Sequence, residues 1–241
     1  MQGIGAIFGP FGPLDIAAVA FLFLAWLSTG WIIEHPPARH PSVSVLMKAY
    51  RREWMRQLIT RQPRIFDSAT QEGLRQATSF YASACMIAIG GGVALLGNTE
   101  RLAGIATELE LGRAPLIIYE VKIVTALFLV VTAFLKFVWA HRLFGYCAIV
   151  MAAVPNDPYD ALALPRAAQA AELNITAARS FNTGLRSVYY ALGALAWLIG
   201  PWMLIAAVAV VTWITLRREF LSHSRRVVLE NLPLNDQRRR D

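Results

Sequence analysis

The sequence has few charged side chains, and long stretches have none. Asp, Glu, Lys and Arg make up 16% of the 241 residues, whereas soluble domains average about a quarter. The longest uncharged run extends over thirty residues, Ser187–Leu216, with Arg186 before it and Arg217 after it. Because about 20 apolar residues cross the hydrocarbon core of a bilayer, this run indicates an integral membrane protein rather than a soluble domain.

Cysteine is scarce as well, and motifs for metal, redox or nucleophilic chemistry are missing. Cys85 and Cys147 both lie in apolar runs, so neither a disulfide framework nor a CxxC site is expected. The sequence has no HExxH motif, dinucleotide fingerprint or Ser/His/Asp arrangement. Gly90-Gly91-Gly92 lies in apolar sequence without the Lys-Ser/Thr of a phosphate loop. We therefore expect a protein that is not an enzyme and that holds no metal and no cofactor.

Four apolar regions predict an all-α, polytopic transmembrane protein. They are Leu14–Ile33, about Ala77 to Gly97, about Pro115 to Trp139, and Ser187–Leu216. No Lys or Arg precedes the first region, which is unlike a signal peptide, so we expect it to be retained as a span. The pair Gly200-Pro201 interrupts the fourth region. That region is therefore either one long kinked helix or a hairpin that crosses the membrane twice.

The polar stretch between the first two regions is basic and partly periodic. It carries eight Lys and Arg residues and three acids between His35 and Gln76. Apolar residues recur every three or four positions and share one helix face: Val43, Leu46, Tyr50, Trp54 and Leu58. The pattern predicts an amphipathic cytoplasmic helix. This helix packs either on an anionic membrane surface or on the spans of the protein itself.

The distribution of charge predicts the topology. Because cytoplasmic loops carry the excess of Lys and Arg, the basic stretch lies in the cytoplasm, and the N-terminus and the acidic loop Asn98–Lys122 lie outside. The basic tail reaches the cytoplasm only if the chain turns back at Gly200-Pro201, which favours five crossings. Each half of that hairpin is about 22 Å long, against a core of about 30 Å. We expect one transmembrane domain over residues 1–228 and a flexible basic tail over residues 229–241, in a bacterial inner membrane or its equivalent.

Six short motifs are distinctive in combination. They are Arg51-Arg52-Glu53-Trp54-Met55-Arg56, Arg64-Ile65, Ser79-Phe80-Tyr81-Ala82-Ser83, Phe181-Asn182-x-Gly184-Leu185-Arg186-x-x-Tyr189-Tyr190, Ala196-Trp197-x-x-x-Pro201-Trp202 and Arg217-Arg218-Glu219-Phe220. In these motifs, from the first span to about Val228, the sequence resembles the DUF599 family of integral membrane proteins of unknown function. The resemblance implies a membrane protein, and it supplies no substrate, cofactor or catalytic residue.

Two groups of polar residues are candidates for function. The first group lies at the predicted cytoplasmic surface and could contact an anionic lipid or a partner: Arg52, Arg56, Arg179, Asn182 and Arg186. The second group contains candidate intramembrane polar residues of the third region: Glu120, Lys122, Lys136 and His141. The alternative for both groups is anchoring at the membrane interface, where we also expect Tyr189 and Tyr190. No charge falls in the middle of a predicted span, which argues against ion-coupled transport.

These observations lead to three functional hypotheses. The favoured one is a non-enzymatic accessory or scaffolding subunit, which associates with itself or with a larger membrane complex through its aromatic faces and through its small-residue face around Gly90-Gly91-Gly92. The second is a small-solute or anion channel or transporter with a basic mouth. The third is a haem or quinone protein, for which His141, His35 and His40 are the nearest histidines. The expected partners are lipids and membrane proteins and not nucleic acid, because the basic residues flank apolar spans.

Overall fold

The computed structural model describes residues 11–98 and 115–230, which form helices joined by turns. In chain order the helices are α1 (Pro13–Glu34), α2 (Val43–Leu58), α3 (Ile65–Leu96), α4 (Leu116–Ala152), α5 (Ala163–Ala194), α6 (Pro201–Phe220) and α7 (His223–Glu230), with a 3-10 turn at Leu195–Leu198 between α5 and α6. The all-α prediction is confirmed for these residues. The N-terminal segment, most of the acidic loop and most of the basic tail lie outside them.

Three of the described helices are long and apolar enough to cross a membrane, namely α1, α3 and α4. They contain the first three apolar regions of the sequence. Two of them extend well beyond those regions, because α3 begins at Ile65 rather than near Ala77 and α4 ends at Ala152 rather than near Trp139. The Ala-rich sequence after Pro165 continues without a break into the fourth apolar region, so both belong to α5.

The described residues divide into two compact units that differ sharply in charge. The first, here called the apolar unit, contains residues 11–30, 83–98, 115–134 and 185–215. The second, the polar unit, contains residues 31–82, 135–184 and 216–230. The apolar unit has four charged side chains: Asp15, Glu120, Lys122 and Arg186. The polar unit has sixteen Lys and Arg against nine Asp and Glu. Such segregation is expected where part of a chain lies in hydrocarbon and part in water.

The core of the apolar unit is formed by α1, α4, α5 and α6. Leu22, Leu129, Tyr190 and Val208, one from each of these helices, are fully buried. Helix α3 contributes much less. In its most apolar stretch of 18 residues, 6% of the residues are buried, whereas the share is 28% for α1 and 33% for α4. It approaches α4 closely at Gly92, where an added Cβ would lie 2.4 Å from Leu127 Cδ2. Most of the apolar surface of α3 is therefore exposed.

The fourth apolar region forms a helical hairpin from the end of α5 and from α6. Pro201 is the first residue of α6, a position where the missing N–H of proline has no helical partner to lose. The Tyr190 hydroxyl before the turn is 2.8 Å from Thr212 Oγ1 after it. An added Cβ at Gly193 would lie 3.5 Å from Val211 Cγ2. Residues on opposite sides of the turn thus face each other, so the chain reverses direction at the 3-10 turn.

In the polar unit, α2 packs on the other helices of that unit. Its N-cap is Ser42, whose Oγ accepts a hydrogen bond from Val45 N at 3.3 Å and donates one to Ile33 O at 2.7 Å. Met55 and Leu58 of α2 are buried in a cluster with residues of α4 and alanines of α5. This burial corresponds to one of the two alternatives for the predicted helix, packing on the protein itself. Its use as a membrane-surface helix stays a prediction.

Candidate functional sites

Lys122 lies in a buried aromatic cage of the apolar unit. The residue is 9% exposed, and its Nζ is 5.9 Å from the ring centroid of Tyr119 and 5.7 Å from that of Trp197. Trp197 Nε1 donates a hydrogen bond to Asp15 Oδ1 at 2.7 Å, and the Asp15 carboxylate attracts the Lys122 ammonium. The two ring faces and the carboxylate offset the cost of burying a charge. Lys122 thereby links α4 to the first turn of α1 and to the hairpin turn.

Glu120 of the same helix is half-buried and also has an interaction partner. The two acidic and two basic side chains of the apolar unit balance in sign. The interface-anchor interpretation of Lys122 therefore describes only part of its role, because its ammonium group contacts the buried Trp197 ring.

Tyr190 is fully buried, so the prediction that it lies at the membrane interface is wrong. Its hydroxyl is 2.8 Å from both Thr29 Oγ1 and Thr212 Oγ1, and it donates to Ala25 O at 3.2 Å. These bonds join α1, α5 and α6. An unpaired hydroxyl in an apolar environment is costly, so the three hydroxyl groups satisfy one another. The signal in the sequence was the presence of Thr29 and Thr212 inside apolar regions, where each needs a partner.

Two of the predicted lipid or partner contacts, Arg179 and Asn182, bind side chains of the polar unit. Arg179 Nε forms an ion pair with the Glu34 carboxylate. Asn182 Nδ2 is 3.5 Å from Ser44 Oγ. Arg186, which follows them in the sequence, belongs to the apolar unit; it is buried and has an interaction partner. Within the described part of the chain, these three side chains are thus engaged in contacts of the protein.

Arg52 and Arg56 lie at the surface of α2. Arg52 Nε pairs with Glu172 Oε1 at 2.7 Å, and Arg56 Nη1 pairs with Glu53 Oε2 at 3.1 Å. Both arginines line a small pocket together with three alanines of α5. Because these ion pairs are exposed, each contributes little to stability, and an incoming anionic group could replace either glutamate.

Lys136 and His141 occupy different environments on α4. Lys136 is exposed and has no hydrogen-bond or ion-pair partner among the described residues. His141 Nδ1 is 3.3 Å from Thr78 Oγ1 and 3.4 Å from Arg75 O. Groups of three or more His, Cys, Asp or Glu side chains that could hold a metal ion are not found in the described residues.

A buried polar network in the polar unit was not anticipated from the sequence. Arg51 Nη1 donates to Asn174 Oδ1, and Asn174 Nδ2 donates to Gln71 Oε1 at 2.9 Å. Gln71 Nε2 continues the chain to Phe144 O at 2.7 Å. Burial lowers the pKa of Arg51, and the nearby Cys147 raises it in part. The network connects α2, α3, α4 and α5, and it provides a hydrogen-bond acceptor for a half-buried arginine that has no carboxylate partner among the described residues.

The exposed face of α3 contains small residues. Gly90 and Gly91 have open space where a Cβ would stand, whereas Gly92 contacts Leu127. Ser83, Ala84 and Ala88 are also exposed. Residues 84, 88 and 91 are separated by four and three positions and therefore share one face. Such a surface allows a second helix to approach the backbone closely.

Comparison with known proteins gives one match. The family model described as "Protein of unknown function, DUF599" matches residues 17–224, which include all six sequence motifs that suggested the resemblance. No curated protein and no solved structure matches the chain. The match spans most of the chain and parts of both units. The chain therefore belongs to the DUF599 family of proteins of unknown function.

Proposed function

We propose that this chain is a five-span protein of a bacterial inner membrane, or of an equivalent membrane, and that it acts as a non-enzymatic subunit that associates with a second copy of itself. The surface that associates is the exposed face of α3. The observation that carries the proposal is the difference in burial among the three apolar helices. In α3, 6% of the most apolar 18-residue stretch is buried, whereas the other two helices have 28% and 33%.

The five crossings would be the helical segments of the apolar unit, residues 13–30, 83–96, 116–134, 185–198 and 201–215. Their lengths of about 21 to 29 Å at 1.5 Å per residue are compatible with a slightly thinned hydrocarbon core. Asp15, Lys122 and Trp197 meet at the first turn of α1, the start of α4 and the hairpin turn. In a five-span topology these three places share one side of the membrane, and the basic polar unit lies in the cytoplasm.

The small residues of α3 favour packing against another helix over contact with lipid alone. Lipid chains are as apolar as leucine, so association in a membrane depends on close packing, which Gly and Ala permit. Helix α3 has no charged residue from Ala77 to Leu96, so its partner must be another apolar helix. The same face of a second copy meets that requirement and gives a closed, two-fold interface.

Two adjacent glycines provide a matched test of the interface. Gly91→Leu adds a side chain where the structure has open space, whereas Gly92→Leu forces a side chain against Leu127. We expect native mass spectrometry of protein released from membrane vesicles to show a dimer for the wild type and mainly monomer for Gly91→Leu, with unchanged thermal stability. Gly92→Leu should lower the thermal stability instead. A monomeric wild type, or a Gly91→Leu variant that stays dimeric, would contradict the proposal.

Disulfide trapping tests the same face in native membranes. In a chain that lacks Cys85 and Cys147, Ala88→Cys is placed on the proposed interface, and Leu24→Cys, on the exposed side of α1, serves as the control. Copper-phenanthroline should cross-link Ala88→Cys into a covalent dimer and leave Leu24→Cys monomeric. Equal cross-linking of the two variants would indicate random collision.

The transport hypothesis has less support from the described residues. Arg52, Arg56 and Arg179 each pair with a glutamate, and Lys122 is enclosed by aromatic rings. Each of these four cations therefore already has an interaction partner, whereas an anion channel needs cations that are available to the passing ion. Chloride and phosphate flux into proteoliposomes would distinguish the two functions, because a subunit without transport activity gives the flux of empty liposomes.

A further inference from the structure

The polar unit contains a cleft between the end of α2, the first turns of α3 and the end of α4. Its volume is ≈ 580 Å³, within the range of about 300 to 1,000 Å³ typical of small-molecule sites. Two side chains that line it, Asp67 and Arg64, each have a buried polar atom without a hydrogen-bond partner among the described residues. Such atoms are uncommon in folded proteins, because leaving a buried donor or acceptor unpaired is costly.

Asp67 supplies the unpaired acceptor. The residue is 1% exposed. Its Oδ1 accepts hydrogen bonds from Trp54 Nε1 at 2.7 Å and from Arg61 Nη1. Its Oδ2 is buried and receives none from the described residues. One oxygen of a carboxylate therefore has two donors while the other has none.

Arg64 supplies the unpaired donor. Its Nη1 and Nη2 donate to Val154 O at 2.6 Å and to Pro155 O at 2.7 Å, just beyond the end of α4. Its Nε is buried, and no described residue accepts its hydrogen. The carbonyl end of a helix also favours a positive charge, so the guanidinium is held in place by contacts outside the cleft.

Both carboxylates that line the cleft have a cationic partner. Asp67 is paired with Arg61, Glu72 is paired with Arg75 at 3.1 Å, and Arg64 is bound to two neutral carbonyl groups. The atoms that stay unpaired are an acceptor, Asp67 Oδ2, and a donor, Arg64 Nε. An ammonium group would give Arg64 Nε no acceptor, and a carboxylate would give Asp67 Oδ2 no donor.

We propose that the cleft binds a small uncharged molecule whose polar end is a carboxamide or a hydroxyl group. Such a group donates to Asp67 Oδ2 and accepts from Arg64 Nε, as neither a simple carboxylate nor an ammonium group does. The apolar part of the molecule packs on Leu58, Ala148 and Met151, which line the rest of the cleft. This site is independent of the association of α3.

Four compounds with the same branched carbon skeleton test the proposal on the full chain in lipid nanodiscs: isobutyramide, isobutanol, isobutyrate and isobutylammonium. The readout is the indole ¹⁵N–¹H resonance of Trp54, which hydrogen-bonds to Asp67 and is assigned with Trp54→Phe. We expect saturable shifts with the amide or the alcohol and none with the two ions. Ala148→Leu fills the apolar side of the cleft and should weaken the response at least tenfold, whereas Ala153→Leu, outside the cleft lining, should preserve it.

If Ala148→Leu fails to fold, Ala152→Leu replaces it, because Ala152 lines the same cleft and is exposed. The absence of a saturable shift with both neutral compounds would mean that the cleft holds water only, and it would overturn the proposal. Equal responses to the charged compounds, or a response that survives filling of the cleft in a folded variant, would overturn it as well.

Discussion

The apolar and polar units differ in the interactions that their buried polar groups make. The apolar unit has four charged side chains and joins its helices through shared hydroxyl groups and a caged lysine. The polar unit uses ion pairs and extended networks, such as Arg61–Asp67 and Arg51–Asn174–Gln71. In hydrocarbon each polar atom needs a partner from the protein, whereas at a water-exposed surface solvent can supply it. In either unit, loss of a polar group should therefore cost most where the group is buried and solvent cannot replace its partner.

The largest effect is expected in the polar unit at Asp67. Asp67→Ala leaves Arg61 and Trp54 Nε1 without their acceptor. Removing one partner of a fully buried pair costs about 3–5 kcal/mol, but Arg61 is partly exposed, so we expect about 2–3 kcal/mol. Denaturant titration in mixed micelles measures this loss in the free energy of unfolding. Glu72→Ala, which removes an exposed partner of Arg75, is the control and should cost at most about 0.5 kcal/mol. Equal effects would show that burial of Asp67 does not matter.

Of the described glycines in the apolar unit, Gly92 has the least space for an added Cβ. Gly92→Ala places a methyl group against Leu127 and should cost about 1–3 kcal/mol, as overpacking does elsewhere. Gly91→Ala has open space and should leave the thermal stability of the monomer unchanged or slightly higher. Thermal denaturation of the two variants in detergent gives the comparison. If both variants match the wild type, α3 is not held against α4 at this residue.

A smaller effect is expected for the hydroxyl network. Tyr190→Phe removes bonds to Thr29, Thr212 and Ala25 O but keeps the ring in place. Hydrogen bonds within membrane helices contribute about 0.6 kcal/mol on average, so losing several should cost about 1–2 kcal/mol. The control is Tyr189→Phe, where the side chain is partly exposed and little change is expected. A loss at Tyr189 as large as that at Tyr190 would contradict the assignment of the network.

The smallest effect is expected at the surface of the polar unit. Arg52→Ala removes the exposed ion pair with Glu172 and should change the free energy of unfolding by less than about 0.5 kcal/mol, with the difference vanishing at high salt. Titrations at low and high ionic strength test both statements. A loss above 1 kcal/mol would place Arg52 in a more important contact than the structure describes.

The sequence predicted the spans well where proline or charge marks their ends. The region Leu14–Ile33 lies between prolines, and α1 runs from Pro13 to Glu34. The sequence predicted helix lengths poorly where a helix continues from apolar into polar residues. Hydropathy indicates the surroundings of a residue and not its backbone conformation. Helix α3 thus begins twelve residues earlier than the apolar region suggests.

The candidate sites were only partly accessible from sequence. A lysine in an apolar region, Lys122, stands out by its charge, and its aromatic cage depends on Trp197, seventy-five positions away. Tyr189 and Tyr190 are adjacent and lie on different sides of α5. Tertiary packing determines which of these sides is buried. The cleft at Asp67 combines residues of three helices, and no local pattern marks it.

We propose that the apolar unit lies in the membrane and the polar unit in the cytoplasm, with the last apolar region crossing twice. Single cysteines in a chain without Cys85 and Cys147 test it through labelling by a membrane-impermeant maleimide. The positions are Asn98→Cys after α3, Tyr159→Cys between α4 and α5, and Leu221→Cys after α6, all exposed. We predict that intact cells label only Asn98→Cys and that inside-out vesicles label only Tyr159→Cys and Leu221→Cys. Labelling of Leu221→Cys from outside would contradict the hairpin and leave four crossings.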